Sequence, residues 1–415
     1  MTTTLACPVC RSTFPLETPI ARCRHCRGLL EIDRGDAPGS GVADRGSCSS
    51  TLDRSGVWRF RDLVYPEARD EDIVTWPEGN TPLVVREVVS RWAGVSRLSL
   101  KHEGLNPTGS FKDRGMTVAV THAKRLRATA VGCASTGNTS ASLAAYAAQA
   151  GIRGVVLIPA GQTALGKLGQ TVAYGATVLA VRGDFDQCLR LVDDAADQLG
   201  FYLVNSVNPF RLEGQKTIVF ELLEQRRWRA PDWIVLPAGN LGNTSAFGMA
   251  LIEAKRRALI DRIPRLAAIQ AEGAAPFARS YHEGFKSRIP VAADTVATAI
   301  RIGNPASWDR AVRAITATNG VVTAVTDQEI LAAKAAVDGS GVGCEPASAA
   351  SVAGVRQLAR MGVIGPSDDV VALLTGNLLK DPEILISTSG AAIVEIDPTI
   401  AALEKALRRA AAAPS

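Results

Sequence analysis

Gly104-Leu-Asn-Pro-Thr-Gly-Ser-Phe-Lys-Asp-Arg-Gly-Met116 sets one lysine inside a tight turn just ahead of a helical stretch. Most lysines lie on helix faces with the ammonium in water. Lys112 instead follows Asn106-Pro107-Thr108-Gly109-Ser110, whose turn chemistry fixes a backbone direction. Phe111 supplies an apolar wall beside it. Partial burial lowers a lysine's pKa, and a neutral amine is what attacks an aldehyde. This is the setting of a Schiff-base lysine. The competing reading is an ordinary Ser-Phe-Lys-Asp loop capping a helix, since short motifs also arise by chance.

Downstream of this turn the chain alternates short β-rich runs with helical patterns. An apolar run at 128–135 ends in Ser-Thr-Gly-Asn, and a helix is predicted from Thr139 to Ala150, stopped at Gly151 where left-handed backbone suits a glycine. Further strands are predicted at 154–159, 176–181 and 201–205. Between the last two lies a helix capped by Asp184, with an apolar stripe of Cys188, Val192, Ala195 and Leu199. The pattern resumes at 233–237 and 370–375. Strands that are apolar throughout, separated by helices, predict parallel sheets covered on both faces. The fold class is α/β, with two sheet-centred units.

Several of these strands end in loops suited to anions. Trp233-Ile-Val-Leu-Pro237 runs into Ala-Gly239-Asn240-Leu241-Gly242-Asn243 and then a helical stretch from Thr244. Glycines let backbone N–H groups approach a phosphate, and a helix N-terminus favours its charge. Read as a bare Gly-x-x-Gly, the same loop is only a turn. Ser135-Thr136-Gly-Asn138-Thr139 also joins a strand to a helix, as a second anion nest or simply as a helix cap. Asn205-Ser-Val-Asn-Pro-Phe-Arg211 places an arginine beside two asparagines, suited to bidentate capture of a further anion, though a surface arginine in a turn is the commoner case. Val370 to Thr375 brings a hydroxyl to the end of a buried strand.

Taken in order, these motifs resemble the pyridoxal-phosphate enzymes of the tryptophan-synthase-β type (fold type II), and within them the threonine synthase family. Glu78-Gly-Asn-Thr-Pro-Leu83, Ile302 to Trp308 and Glu345-Pro-Ala-Ser-Ala-Ala350 extend the likeness over most of residues 75–400. The resemblance implies a two-domain enzyme with parallel-rich twisted sheets flanked by helices. It implies that Lys112 carries pyridoxal 5'-phosphate, that Gly239, Asn240, Leu241, Gly242 and Asn243 cradle its phosphate, that Asn138 meets the ring's O3′, and that Thr375 faces the pyridine nitrogen. It assigns Ser135, Thr136 and Thr139 to the substrate, and Asn205 and Arg211 to the substrate's phosphate. The implied reaction converts O-phospho-L-homoserine and water to L-threonine and phosphate, in a homodimer. One departure is that the family commonly reads Gly-Leu-Lys-Asp where this chain has Asn377-Leu378-Leu379-Lys380-Asp381. Sister enzymes on the same scaffold, a cysteate-synthase-like β-replacement enzyme or a threonine/serine dehydratase, are the nearest alternative.

The N-terminal stretch reads differently. Cys7-Pro-Val-Cys10 and Cys23-Arg-His-Cys26 are two Cys-x-x-Cys knuckles separated by twelve residues. Four thiolates so spaced close a tetrahedral zinc (Zn2+) site and stabilise a segment too short for its own core. A redox pair or unrelated thiols are the competing readings. The expected layout is a zinc ribbon at 1–35, a flexible linker at 36–55 that contains Cys48, a large cofactor domain at 56–112 and 211–415, and a small α/β domain at 113–210. The ribbon reads as an appendage. Cys133, Cys188 and Cys344 sit in apolar patterns as small buried side chains.

Across 415 residues a net charge of +5 has no basic run, which speaks against nucleic-acid binding even with a ribbon present. A nucleic-acid binder with a dead enzyme body is opposed by Lys112, both glycine/asparagine loops and Thr375. No apolar stretch approaches the roughly 20 residues that span a bilayer, and the first residues lack a signal-peptide pattern, so a cytoplasmic enzyme is expected. Gly161 to Lys167 nearly spells a P-loop, but Leu168 stands where Mg2+ needs a hydroxyl. That segment reads instead as a loop and helix start near the mouth of the site.

Overall fold

The computed structural model describes residues 3–35, 50, 52–161, 165–183, 185–388 and 395–412, arranged around three sheets. The first is small: β1 (Thr4–Ala6), β2 (Thr13–Pro15) and β3 (Glu31–Asp33) pair antiparallel in the order β2-β1-β3. Each cysteine knuckle closes in the same way. Arg11 N–H donates to Cys7 O and Arg27 N–H to Cys23 O, both at 2.9 Å, and both arginines take left-handed backbone. This unit is not an appendage. Leu5, Leu16 and Leu30 belong to one apolar cluster with Trp58, Val118 and Leu143 of the main body, and Arg34 reaches Glu213 at 2.8 Å. A three-stranded sheet this short cannot bury enough surface alone, so it borrows a core. Of the expected linker, residues 36–49 and 51 lie outside the described residues, and Ser55 at its end is buried.

Beyond the ribbon the chain lays down β4 (Leu83–Val85) and β5 (Arg97–His102), then β6 (Ala130–Ala134), β7 (Arg153–Pro159), β8 (Thr177–Val181) and β9 (Tyr202–Leu203), and last β10 (Trp233–Pro237), β11 (Arg265–Ala271), β12 (Val321–Val325) and β13 (Asp369–Leu374). Strands β6 to β9 form a four-stranded parallel sheet in the order β8-β7-β6-β9. The rest form a six-stranded sheet, β12-β11-β10-β13-β5-β4, parallel except for the edge strand β4. Every residue of β6 and β10 is buried, as continuous apolar runs between helical layers require. The expected α/β architecture is therefore present, and no described helix is long and apolar enough to cross a membrane.

Several predicted elements differ in detail. The helix after β6 runs Asn138–Ala150 and ends at Gly151 with φ 66°. The run at 176–181 forms β8, but none of the five residues of this edge strand is fully buried, and Leu179 is 48% exposed. Strand β9 holds two residues, not five. In the helix Phe185–Leu199 the stripe is buried at Cys188, Val192 and Ala195, whereas Leu199, the last residue, is 68% exposed. The predicted cap, Asp184, lies outside the described residues.

Candidate active site

The lysine turn is fixed from three directions. Lys112 opens the helix Lys112–Arg125. The next residue, Asp113, is fully buried and accepts from Thr108 N at 2.7 Å, Thr108 Oγ1 at 2.6 Å and Ser142 Oγ at 2.6 Å, so one carboxylate ties the turn to the Asn138 helix. Asn106 donates to Glu103 O and Oε2, both at 2.8 Å. From the far side, Phe111 N–H donates to Thr375 O at 3.0 Å and Asn377 N–H to Gly109 O at 2.9 Å, stitching the turn to the end of β13. Gly109 has φ +84°, which is why a glycine stands there.

Below the turn lies a closed set of buried charges. Arg114 donates to Glu103 (2.6 and 2.8 Å) and to Glu221 (2.8 Å), and Lys101 donates to Glu221 at 2.6 Å, all four fully buried. Burial alone would raise the Glu221 pKa, but the charges of Arg114 and Lys101 hold it well below the usual carboxylate range.

Lys112 itself is only partly buried, with its ammonium 4.3 Å from the Phe111 ring centroid. Burial pushes its pKa down, the Arg211 guanidinium adds to this, and the Glu345 carboxylate opposes it, leaving the amine at about 7. A substantial neutral fraction at neutral pH is what attack on an aldehyde needs.

Across the cavity, β10 ends in the loop Gly239–Asn243, and the helix Gly242–Arg256 begins within it. Leu241, in left-handed backbone at φ 63°, starts this helix without any side-chain cap, so its first N–H groups remain for a ligand. A Cβ on Gly239 would lie 2.9 Å from Ile300 Cα, and Asn243 Oδ1 and Gln215 Oε1 are buried without a partner. Asn240 accepts from Ala306 N at 2.6 Å and donates to Ser206 Oγ, pinning the loop in place. An uncapped helix N-terminus behind a glycine loop is a phosphate seat.

The Asn138 helix also starts uncapped: Gly137 occupies the capping position, and neither Asn138 nor Thr139 serves as the cap. The Asn138 amide instead donates to Glu345 Oε2 at 3.0 Å. Thr375 Oγ1 donates to Glu345 Oε1 at 3.2 Å and lies 2.9 Å from Ser348 Oγ. Burial raises the Glu345 pKa, with the Asn138 amide opposing. Glu345 is a site residue that sequence reasoning left without a role. A glutamate before Pro346 at a helix start reads as a capping group, and no local signal says that its carboxylate is buried between two other motifs.

All the candidate cofactor and substrate residues but one line a single cavity of about 1300 Å3: Lys112, Ser135, Thr136, Asn138, Thr139, Asn205, Gly239 to Asn243 and Thr375. Leu168 and Gln170 of the helix Leu165–Ala173 share the wall, where the near-P-loop was read as a mouth segment, although its residues 162–164 lie outside the described residues. The exception is Arg211. It is fully buried in the helix Pro209–Gln225, donates from Nη1 to Val204 O at 3.1 Å, and leaves Nε and Nη2 without partners. Burial lowers its pKa to about 10. Asn205 does reach the wall, but its amide clamps Ala134 through its N–H and its carbonyl, each at 3.1 Å. The Leu378 departure is accommodated by Gly343, whose absent Cβ would sit 2.8 Å from Leu378 Cδ2.

Lys112, an uncapped glycine loop, the Asn138 amide and the Thr375 hydroxyl thus share one cavity. A family model described as "Pyridoxal-phosphate dependent enzyme" matches residues 74–376. A threonine synthase of Methanosarcina acetivorans is 45% identical over 410 residues, covering 97% of this chain and 98% of that protein. One from Methanocaldococcus jannaschii is 45% identical over 387 residues, covering 92% and 94%. The solved threonine synthase of Escherichia coli superposes with a TM-score of 0.69 over 94% of this chain and 95% of that one, at 18% identity, a likeness of fold. On the family match and these near-full-length identities, the chain belongs to the pyridoxal-phosphate-dependent enzymes and, within them, to the threonine synthases.

Proposed function

We propose that this chain converts O-phospho-L-homoserine and water to L-threonine and inorganic phosphate, using pyridoxal 5'-phosphate joined to Lys112. The observation that carries the reading is the depressed amine of Lys112 facing the Gly239–Asn243 loop across one cavity. When bound, the cofactor supplies an electron sink for the carbanion formed at the substrate's α-carbon. The residues fit it: Gly239 to Asn243 would hold its phosphate, Thr375 its ring nitrogen and Asn138 its phenolic oxygen. Lys112 would hold the proton taken from the substrate's Cα. Ser135, Thr136 and Thr139, at the other uncapped helix start, receive the substrate's carboxylate. Arg211 supports the substrate's phosphate through its field from behind the wall that Asn205 forms. The division into a cofactor domain around the six-stranded sheet and a small domain at 113–210 follows the same reading.

The cysteine knuckles are read as a structural zinc site. Their four sulfurs lie within 4.8 Å of one another, and a Cβ on Gly28 would crowd the sulfurs of Cys7 and Cys26, at 3.2 and 3.3 Å. Release of threonine and phosphate in equal amounts from O-phospho-L-homoserine tests the main reading. Phosphoserine with sulfite as the better substrate pair would favour the cysteate-synthase-like alternative instead. Chelation is expected to remove one zinc per chain without bleaching the cofactor, and metal analysis that finds no zinc in the purified protein overturns the ribbon assignment.

A further inference from the structure

A second cavity, of about 440 Å3, lies where the ribbon meets the main body, and it shares no lining residue with the first. Its walls are β3 of the ribbon and three helices, Pro209–Gln225, Gly242–Arg256 and Trp308–Ala317. The last two helices touch, since a Cβ on Gly248 would collide with Ala314. The proposed reaction makes no use of this space.

The charges around it divide into two sets. On one wall Arg34, Lys216 and Arg257 pair with Glu213 and Glu253 at 2.7 to 2.9 Å. On the other, Arg310 and Arg313, one helix turn apart, converge on a single carboxylate, Glu31 of β3. Arg310 is only 4% exposed. Its Nη2 donates to Leu30 O, its Nε faces Glu31 Oε1 at 3.3 Å, and its Nη1 has no partner among the described residues. Burial pushes its pKa down to about 10, Glu31 opposes the fall, and Arg313 adds to it. Two guanidiniums share one carboxylate here, and the one out of water gains when another anion arrives.

The other lining groups narrow the chemistry of that anion. An arginine fork fits a planar carboxylate through parallel N–H bonds. Glu213, Glu253 and the exposed Asp33 line the same space and oppose a multiply charged ligand. No aromatic ring lines it among the described residues, so a nucleobase finds nothing to stack on. Met249, Ile252 and Ala317 supply an apolar wall for a short aliphatic body. The volume is that of a metabolite site.

We propose that Arg310 and Arg313 form a second ligand site, which takes the carboxylate of a small aliphatic acid between the ribbon and the Gly242–Arg256 helix. The inference goes beyond the proposed reaction and does not rest on it. The ribbon thereby supplies one wall of a binding site. Ser245 joins that site to the other cavity: it lines the second, and its hydroxyl donates to Leu241 O of the Gly239–Asn243 loop at 2.8 Å.

The test is calorimetric titration of the full-length holoenzyme with isobutyrate, and with isobutyramide as its uncharged counterpart. The unaltered protein is expected to bind isobutyrate and not the amide. Arg313→Gln, at an exposed position, is expected to weaken isobutyrate binding about tenfold with the cofactor's visible absorbance unchanged. Glu31→Gln removes the chain's own carboxylate from both arginines and is expected to tighten binding about threefold or more, a gain that a merely structural ion pair would not give. No heat of binding from isobutyrate up to about 50 mM overturns the proposal. Binding that stays within about twofold in either variant overturns it too, because the carboxylate then sits elsewhere. Equal binding of the amide does the same, since a site built on two arginines requires the charge.

Discussion

The six-stranded and four-stranded sheets face one cavity but are secured differently. Behind the lysine turn, the six-stranded sheet's unit has a saturated set of buried charges, Glu103, Arg114, Glu221 and Lys101, each with partners under 3 Å. The four-stranded sheet's unit has no such backing among the described residues. Its edge strand β8 is half in water, β9 holds two residues, and the adjoining Arg211 leaves two buried nitrogens unpaired. The lysine turn is therefore set before anything binds, whereas Arg211, Gln215 and Asn243 keep buried polar atoms without partners that a ligand would complete. Pre-organisation on one side and adjustable contacts on the other suit a site that keeps its cofactor and exchanges its substrate.

The largest expected effect sits on the fixed side. Lys112→Ala should cut threonine formation by about a thousandfold or more and abolish the borohydride-trapped cofactor adduct, since it removes both the attachment point and the proton carrier. Near-normal turnover in that variant would sink the assignment. The next effect tests the charge set itself. Glu221→Ala takes from Lys101 its contacting carboxylate and leaves Arg114 with Glu103 alone, so that two buried cations share one anion, at a cost of about 3–5 kcal/mol in urea unfolding. A loss below about 1 kcal/mol would mean that this network does not fix the lysine turn, and the contrast between the two sheets would dissolve.

How much of this was legible in the sequence follows the same divide. Val, Ile and Leu runs such as 154–159 and 233–237 announced buried parallel strands, because only a sheet covered on both faces tolerates them. Strand β11, Arg-Leu-Ala-Ala-Ile-Gln-Ala, was not legible: its alanines favour a helix by propensity, and only pairing with β10 and β12 makes it a strand. Leu199 and Leu179 were read as buried because periodicity cannot say where a sheet stops. In the site, the loops at 135–139 and 239–243 were legible because strand, glycine and helix occur there in sequence. Glu345 was not, because its meaning comes from the segments opposite: it lies 207 residues along the chain from Asn138.

The smallest effect is also the one that separates a pre-set amine from an ordinary one. A solvated lysine keeps its proton up to about pH 10.4, so its neutral fraction rises tenfold per pH unit through the whole neutral range. Burial beside Arg211 brings Lys112 to about 7. Covalent uptake of pyridoxal phosphate by the cofactor-free chain should therefore rise about tenfold per unit below pH 7 and level off above about pH 8. The sign for stability runs the same way. Between about pH 7 and pH 10.4 the unfolded chain binds a proton at this position that the folded chain does not, so the cofactor-free protein gains stability as pH rises through that window. Uptake that still climbs tenfold per unit at pH 9 would place the amine in water. The fixed side of the site would then hold its lysine in position without preparing it chemically.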